Sequence, residues 1–240
     1  MKALYDSTGE VLVVTGGANG IGAAVARGFA ASGGQSVVVD VVQADWEAER
    51  VQHLVADVGD RDQVCEVIAG AVTEHGRVDG LIASAAVQPR NTVLDTSEEE
   101  WRRTLAINLD GVVWATQAVL PSMIDQRRGS IVVFASGLAN FGHAEAAAYA
   151  ATKGALIPWA KSLAAEVAEH RVRVNTVFPG VIDTPQFRRA NPTGGQREHW
   201  ARTTGIGQPA DIVGPLMFLL SDDATMTGST LTRDRAFSQE

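Results

Sequence analysis

The sequence has little of what builds cross-linked, metal-binding or membrane-spanning proteins. Cys65 is its one cysteine, which excludes an internal disulfide and any cluster of cysteine ligands. The five histidines show no close pairing of the kind found in zinc sites, so no metal is expected. No apolar run approaches the roughly 20 residues that cross a bilayer. Because the opening MKALYDSTGE does not resemble a signal peptide, we expect a cytoplasmic protein.

Positive charge is also scarce, since 20 Lys and Arg against 28 Asp and Glu give a net charge of −8. Such a chain has no cationic surplus with which to neutralise nucleic-acid phosphates or anionic lipid headgroups. We therefore expect neither nucleic acid nor a membrane among its partners. With 45% hydrophobic residues, the 240 residues have the composition of one globular domain, 1–240.

Short β-branched runs alternate with longer amphipathic segments along the chain, a pattern typical of a parallel sheet with crossover helices. Most of the short runs are apolar at successive positions, which indicates strands covered on both faces. The sequence therefore predicts an α/β fold: a doubly wound, Rossmann-like parallel sheet of six or seven strands with helices on both faces. The predicted strands are 11–15, 36–40, 51–56, 80–83, 130–135 and 172–177, and the predicted helices are 20–32, 61–75, 98–123, 145–169 and 209–220.

A Pro- and Gly-rich segment, 183–208, does not fit this alternation. Long irregular segments within compact domains tend to be functional lids or binding loops. We expect a mobile substrate flap here. Its Phe187 and Trp200 are candidate substrate contacts together with Phe141 and His143, although each of these aromatic rings is at least as typical of packing.

A glycine-dense turn follows the first predicted strand, where Gly16, Asn19, Gly20, Ile21 and Gly22 lead into an Ala-rich helix. Glycines allow the backbone to approach a pyrophosphate, and the free N–H groups of a helix N-terminus favour its charge. No Lys-Ser/Thr pair follows, which disfavours nucleoside triphosphate hydrolysis. The alternative is an ordinary strand-to-helix turn.

Asp40 ends the second predicted strand, about 20 residues after the turn. An acid at this place can accept hydrogen bonds from the adenosine ribose and repel a 2′-phosphate, which favours NAD over NADP. Asp40 could instead be a strand-end turn residue, and a neighbouring arginine could reverse the preference. Asp57 is a weaker candidate for the adenine edge, because its surroundings are also good turn and N-cap chemistry.

Tyr149 and Lys153 lie four residues apart on a predicted helix, so their side chains share one face. An ammonium beside a phenol could bring the phenol pKa from about 10 toward neutrality. Ser136 directly follows the fifth predicted strand, at the edge of the sheet where ligands bind in such folds. Asn108 falls on the apolar stripe of its helix, where a buried amide needs hydrogen-bond partners.

Together these segments resemble the short-chain dehydrogenase/reductase family, in its short single-domain branch. The resemblance covers about residues 9–230. The matching segments are TGGANGIG at 15–22, Asp40, Asp57 with Val58, Asn108 in INLDG, Ser136 in FASG, YAATK at 149–153 and VRVNTVFPGVIDT at 172–184.

The resemblance implies an NAD(H)-dependent oxidoreductase that interconverts a secondary alcohol and a ketone, with a small-molecule substrate and a homo-oligomeric assembly, tetramer or dimer. Tyr149 would be the general acid/base, Lys153 would lower its pKa and hold the nicotinamide ribose, Ser136 would bind the substrate oxygen, and Asn108 would hold a water that passes protons to solvent. Ile21 would pack in the phosphate turn and Val58 beside the adenine. Pro179, Gly180 and Thr184 would meet the nicotinamide.

Two segments depart from the family pattern. Ala83-Ser84-Ala85-Ala86 stands where the family usually has Asn-Asn-Ala-Gly, so the amide that supports the sheet and cofactor is missing. The last strand, usually ending Val-Asp-Gly-Gly, is replaced by the polar and charged 230–235. The seventh strand and the C-terminal packing are thereby in question.

Other functions remain to be weighed. A non-catalytic NAD-binding or scaffolding protein could have the same fold, but it would be expected to lack one or more of the catalytic residues. Here all four are present: Asn108, Ser136, Tyr149 and Lys153. An epimerase or dehydratase would carry a larger C-terminal domain, and a serine hydrolase around Ser136 lacks the G-x-S-x-G turn. No cationic cluster stands out in the sequence, and Arg188 with Arg189, which could meet an anionic substrate, is more typical of a solvated helix face.

Overall fold

The computed structural model describes residues 4–233, which form a seven-stranded parallel sheet. The six predicted strands are confirmed to within one residue at each end, and a seventh, short strand is present in the polar C-terminal segment. The rest of that segment, 234–235, lies outside the described residues. The strands are β1 (Val11–Thr15), β2 (Gln35–Asp40), β3 (Val51–Val55), β4 (Gly80–Ala83), β5 (Gly129–Phe134), β6 (Val172–Phe178) and β7 (Thr230–Thr232).

The strand order in the sheet is β3-β2-β1-β4-β5-β6-β7. The chain first winds outward from β1 to β3 and then returns to the other side of β1 with β4. This reversal between β1 and β4 leaves a crevice at the carboxyl ends of the strands, which is where open α/β sheets bind ligands. The predicted doubly wound, Rossmann-like fold in a single domain is confirmed.

Nine α-helices occur within residues 4–233. They are α1 (Gly20–Ala31), α2 (Arg61–His75), α3 (Glu98–Leu105), α4 (Gly111–Asp125), α5 (Leu138–Phe141), α6 (Ala147–Val167), α7 (Pro185–Ala190), α8 (Gly194–Thr203) and α9 (Val213–Leu220). None of the helices in this range is long and apolar enough to cross a bilayer.

The sheet separates two hydrophobic cores. Alternate residues of β1 point to opposite faces, so that Val11 and Val13 join one core while Leu12 and Val14 join the other. Helices α2, α4 and α6 cover the first core, and α1 and α9 cover the second. Apolar residues at successive strand positions are thereby buried on both sides, which explains why these strands lack a polar alternation.

The single helix predicted over 98–123 is wrong in one respect. It is divided into α3 and α4 by a π-helical stretch, Ala106–Asp110, which contains Asn108. One additional residue in a helical turn rotates the following residues around the axis, and such bulges are frequent at functional sites. The bulge coincides with the contacts of Asn108 to distant residues, which helix propensity and periodicity do not encode.

The segment 183–208 is also more regular than its composition suggested. Thr184 caps α7 by accepting a hydrogen bond from the N–H of Phe187 at 3.1 Å, and Thr193 with Gln196 forms a capping box at the start of α8. The prolines and glycines lie at or near the helix ends rather than in a continuous loop. We retain the name flap for residues 183–208.

Candidate active site

A cavity of about 570 Å³ opens at the carboxyl edge of the sheet. This is the size of a typical small-molecule or cofactor site. Of the catalytic and cofactor-binding residues predicted from the sequence, only Gly22 and Asn108 do not line it. Those that do are Gly16, Asn19, Gly20, Ile21, Asp40, Asp57, Val58, Ser136, Tyr149, Lys153, Pro179, Gly180 and Thr184.

The glycine turn between β1 and α1 is shaped for close backbone approach. Gly16 has φ +70°, and a Cβ placed on it would lie 2.5 Å from the Cα of Ala85, so no other residue fits there without displacing the backbone. A Cβ on Gly22 would lie 2.3 Å from the carbonyl oxygen of Gly16. Gly22 therefore serves the packing of the turn rather than the cavity wall.

Helix α1 begins at this turn with Asn19 at the N-cap, and the Asn19 side chain makes no capping hydrogen bond. The first-turn N–H groups of the helix are thus left without a side-chain partner beside the cavity. This arrangement fits a pyrophosphate.

The altered segment after β4 is held by the neighbouring strand. The N–H of Ser84 donates to the carbonyl oxygen of Thr15 at 3.1 Å, and the N–H of Ala85 reaches the Thr15 hydroxyl at 3.5 Å. Small side chains at positions 84–86 let this segment lie against Gly16. The backbone of β1 therefore supports the segment even though the usual amide side chain is missing.

Asp40 ends β2 and holds the glycine turn. One carboxylate oxygen accepts a hydrogen bond from the N–H of Ala18 at 2.9 Å, and the other accepts from Val42 N–H at 3.3 Å. The carboxylate also lines the cavity, as the ribose role requires. Both interpretations of Asp40, turn residue and ribose ligand, are compatible with this geometry.

Asp57 is engaged by groups that the sequence did not identify. Its carboxylate accepts from the Arg103 guanidinium at 2.7 Å and from Gly59 N–H at 2.9 Å. The second contact is the turn chemistry considered above as the alternative. Arg103, on α3, also lines the cavity. Asp57 and Arg103 therefore form a neutral ion pair in this part of the cavity wall.

Tyr149 lies in the first turn of α6 and is 8% exposed. Burial raises the pKa of its hydroxyl above 10.0, whereas a hydrogen bond with Ser136 and the charge of Arg90 act in the opposite direction. The Ser136 hydroxyl, just beyond β5, also accepts from Leu138 N–H at 3.2 Å. Tyr149, the predicted acid/base, and Ser136, the predicted ligand of the substrate oxygen, thus lie near each other in the cavity wall.

Lys153 lies one turn further along α6 and is 2% exposed. Its ammonium donates to the carbonyl oxygen of Phe134 at 2.8 Å and lies 5.9 Å from the centroid of the Tyr149 ring. Burial lowers the pKa of Lys153 from 10.5 to about 8. In this structure enclosure of the phenol outweighs the groups that favour its ionised form, and the lowering of the Tyr149 pKa by Lys153 stays a prediction.

Asn108 does not reach the cavity, and its side chain is fully buried. Its amide oxygen accepts from Val87 N–H at 2.8 Å, and its amide nitrogen donates to the Val87 carbonyl at 2.9 Å and to the Thr152 hydroxyl at 3.1 Å. Thr152 in turn donates to the carbonyl oxygen of Tyr149 at 2.8 Å. The side chain therefore ties Val87 to α6, and the water-holding role of Asn108 stays a prediction.

The flap is held by contacts of Trp200 with His143 and Asn191, which we call the aromatic clamp. Trp200 stacks on His143 with ring centroids 5.7 Å apart, and its indole N–H donates to the Asn191 side chain at 3.0 Å. Trp200, Phe187 and Phe141 line the cavity as predicted. His143 supports Trp200 from the α5–α6 connection instead.

Sequence reasoning missed Arg103 and Thr152, which act through partners distant in the chain. It also missed Trp46, whose indole N–H donates to the carbonyl oxygen of Ala18 at 2.8 Å and so steadies the glycine turn. No local motif marks these residues. Arg90 falls within 87–91, a segment that the sequence predicts to form part of the substrate pocket, but nothing local marks its side chain as functional.

Comparison with known proteins places the chain among dehydrogenases. Residues 10–194 match the short chain dehydrogenase family. A 3-oxoacyl-[acyl-carrier-protein] reductase FabG of Thermotoga maritima is 35% identical, over 94% of this chain and 96% of the relative. The structure of Thermoplasma acidophilum aldohexose dehydrogenase is 31% identical with a TM-score of 0.89, covering 99% and 98% of the two chains. A putative NAD(P) dependent gluconate 5-dehydrogenase of Beutenbergia cavernae, with bound NADP, is 30% identical with a TM-score of 0.90, covering 97% and 98%.

Proposed function

We propose that this chain, which belongs to the short-chain dehydrogenase/reductase family of oxidoreductases, interconverts a secondary alcohol and a ketone with NAD(H). The observation that carries the proposal is that Tyr149, Ser136 and Lys153 line the same cavity as the glycine turn. A phenol, a hydroxyl and a buried ammonium at the end of a phosphate-binding crevice form the set that carbinol oxidation needs.

When bound, NAD would supply the hydride acceptor. The glycine turn and the start of α1 would hold its pyrophosphate, while Asp40 would bind the adenosine ribose and Lys153 the nicotinamide ribose. A Cβ on Gly20 would lie 3.1 Å from Cγ2 of Thr184, so the segment after β6 closes onto the glycine turn and completes the cavity wall.

Tyr149 handles the hydroxyl proton. In the oxidation direction its oxygen, once ionised, takes the proton from the substrate hydroxyl, and in the reduction direction the phenol returns it. Ser136 donates to the substrate oxygen and holds it beside the phenol. Because burial disfavours the phenolate, oxidation is expected to speed up as pH rises.

The choice of NAD over NADP is supported by the charges at the adenosine end. A 2′-phosphate there would meet the Asp40 carboxylate and the exposed, apolar Val41 and Val42. Arg103, the one described cation in that part of the wall, is already paired with Asp57. This proposal departs from the NADP-bound relative, so the ratio of kcat/KM for the two cofactors tests it directly.

The experiment for the catalytic role compares Tyr149→Phe with Tyr5→Phe, the chain's other tyrosine. A panel of secondary alcohols and sugars is assayed by NADH absorbance. Tyr149→Phe is expected to lower kcat by about 10²–10⁴-fold while NADH still quenches protein fluorescence. Tyr5→Phe should retain turnover.

Turnover in Tyr149→Phe equal to that of the unmodified protein would refute the acid/base assignment. A protein that binds NADH but oxidises and reduces nothing in the panel would favour the non-catalytic alternative. The homo-oligomer and the cytoplasmic location stay predictions from the resemblance and the composition.

A further inference from the structure

The cavity carries opposite charges at its two ends. The carboxylates among its lining residues, Asp40 and Asp57, both lie at the adenosine end. The wall around Tyr149 and the flap has no carboxylate among the described residues but includes Arg90 and Arg189. In a chain with a net charge of −8, this excess of positive charge at the reactive end is not a consequence of composition.

Arg90 is the cation closest to the chemistry. It follows β4 and lies near enough to Tyr149 for its charge to favour the ionised phenol. One terminal nitrogen contacts Nδ1 of His143 at 2.9 Å and the carbonyl oxygen of Ala144 at 3.4 Å. Its Nε is buried without a hydrogen-bond partner, and no carboxylate of residues 4–233 lies within ion-pair distance of the guanidinium.

A half-buried guanidinium is costly when no carboxylate is in direct contact with it, because its charge is withdrawn from water. Glu145 favours the charged form of Arg90 from beyond ion-pair distance and leaves the N–H donors of the guanidinium unoccupied by a carboxylate. Other arginines of the cavity wall do not share this state: Arg103 pairs with Asp57, and Arg233 reaches Asp211 at 3.4 Å. Arg189, on the flap, is exposed and has no ion-pair partner among the described residues either. Two arginines from separate elements thus present free charge to one end of one cavity.

We propose that the substrate carries a carboxylate close to the reacting carbon, and that Arg90 binds this carboxylate, with Arg189 adding charge from the flap. The substrate class is therefore a hydroxy acid or oxo acid. This inference rests on the proposed dehydrogenase function. A guanidinium suits the role because its planar set of N–H donors matches the two oxygens of a carboxylate.

The competing explanation is structural. Through His143 and Ala144, Arg90 ties the segment after β4 to the start of α6, and its removal could disturb Tyr149 for any substrate. The two explanations differ in what they predict for neutral substrates. A positioning role lowers turnover of acid and amide by the same factor, whereas loss of carboxylate binding lowers the preference for the acid over its amide.

The experiment uses pairs of substrates that differ only in the anionic group. The 2-, 3- and 4-hydroxypentanoates and their primary amides are assayed with NAD, and kcat/KM is measured for Arg90→Gln, Arg90→Lys and the unmodified protein. The unmodified protein should prefer one acid over its amide by about ten-fold or more. Arg90→Gln should lower the ratio of kcat/KM for that acid to kcat/KM for its amide by roughly 10- to 100-fold, since a charged hydrogen bond contributes about 1.5–3 kcal/mol. Any effect of the lost charge on the Tyr149 phenol acts on acid and amide alike and cancels in this ratio. Arg90→Lys should restore part of the loss.

Arg197→Gln is the matched control, because it removes the same charge from a residue that is exposed on α8 and lies outside the cavity wall. It should not change the ratio of acid to amide. Equal losses for acid and amide in Arg90→Gln, or no preference for any acid in the unmodified protein, would overturn the proposal.

A binding measurement separates this proposal from the dehydrogenase function itself. With NADH present, butyrate should raise the melting temperature of the unmodified protein but not that of Arg90→Gln. If Arg90→Gln does not fold, Arg90→Lys takes its place, and butyrate should raise the melting temperature of that variant only weakly. Stabilisation by butyrate without turnover of any substrate would refute the dehydrogenase function alone. Stabilisation by inorganic phosphate and not by butyrate would refute the proposal that the substrate carries a carboxylate.

Discussion

Replacing Lys153 by methionine should make the protein more stable at neutral pH. Lys153 is buried and its ammonium has one described hydrogen-bond partner, the carbonyl oxygen of Phe134. Its pKa falls from 10.5 in the unfolded chain to about 8 in the folded protein, a difference of 10.5 − 8 = 2.5. At about 1.4 kcal/mol for each pKa unit, keeping the charged form buried costs roughly 3 kcal/mol.

The substitution also removes the hydrogen bond to Phe134, which contributes about 1 kcal/mol. Methionine fills nearly the same space with an apolar chain. The expected net gain in the free energy of unfolding is therefore about 2 kcal/mol at pH 7. In a domain of this size such a gain raises the melting temperature by roughly 4–8 °C.

The pH dependence provides the more specific test. Below pH 8 the lysine is charged in both folded and unfolded states, so the full cost is present. Between about 8 and 10.5 the unfolded chain binds more protons than the folded protein, and the stability of the unmodified protein rises with pH relative to the variant. The advantage of Lys153→Met should fall below about 1 kcal/mol by pH 9.5.

Urea unfolding, followed by tryptophan fluorescence at pH 7 and at pH 9.5, measures both values. Lys161→Met is the control, because Lys161 lies exposed on the same helix. Its effect should stay within about 0.5 kcal/mol at both pH values. A Lys153→Met protein no more stable than the unmodified one at pH 7, or one whose advantage does not shrink with pH, would show that this burial argument is mistaken.

Two further substitutions test the ends of the cavity. Asp40→Ala should lower the ratio of kcat/KM for NAD to that for NADP by about ten-fold or more, because the carboxylate proposed to bind the ribose is lost. Asp45→Ala removes an exposed acid in the following loop and should leave the ratio unchanged. Trp200→Ala removes the stacking on His143 and the bond to Asn191, together about 2 kcal/mol, so protease cleavage within 183–208 should accelerate roughly ten-fold or more. Equal cleavage rates for Trp200→Ala and the unmodified protein would show that the clamp does not hold the flap.

The strands and the glycine turn could be predicted because their signals are local. A fully covered strand needs apolar residues at successive positions, and the close approach at Gly16 admits only glycine. The same holds for the spacing of Tyr149 and Lys153, which one helical turn brings to one face. These features are encoded within a few residues of where they act.

What the sequence could not provide depends on contacts between distant segments. The π-helical stretch forms where Asn108 meets Val87 and Thr152, residues 21 and 44 positions away. The direction of the Tyr149 pKa depends on how completely the surrounding elements enclose the phenol. Arg90 likewise lacks an ion-pair partner because no carboxylate of the described residues comes close enough to it. A short stretch of sequence around Arg90 cannot show this.

These distant contacts also account for the altered segment after β4. The family's missing amide would have tied this segment to the sheet, and here two other ties replace it. Thr15 holds Ser84 and Ala85 from the side of β1, while Asn108 holds Val87 from the side of the π-helical stretch. Since Asn108 also bonds Thr152, which bonds the backbone of Tyr149, the segment that ends in Arg90 and the helix that carries the phenol are fixed to one side chain. The acid/base and the proposed carboxylate ligand are therefore held in register by a residue that touches neither.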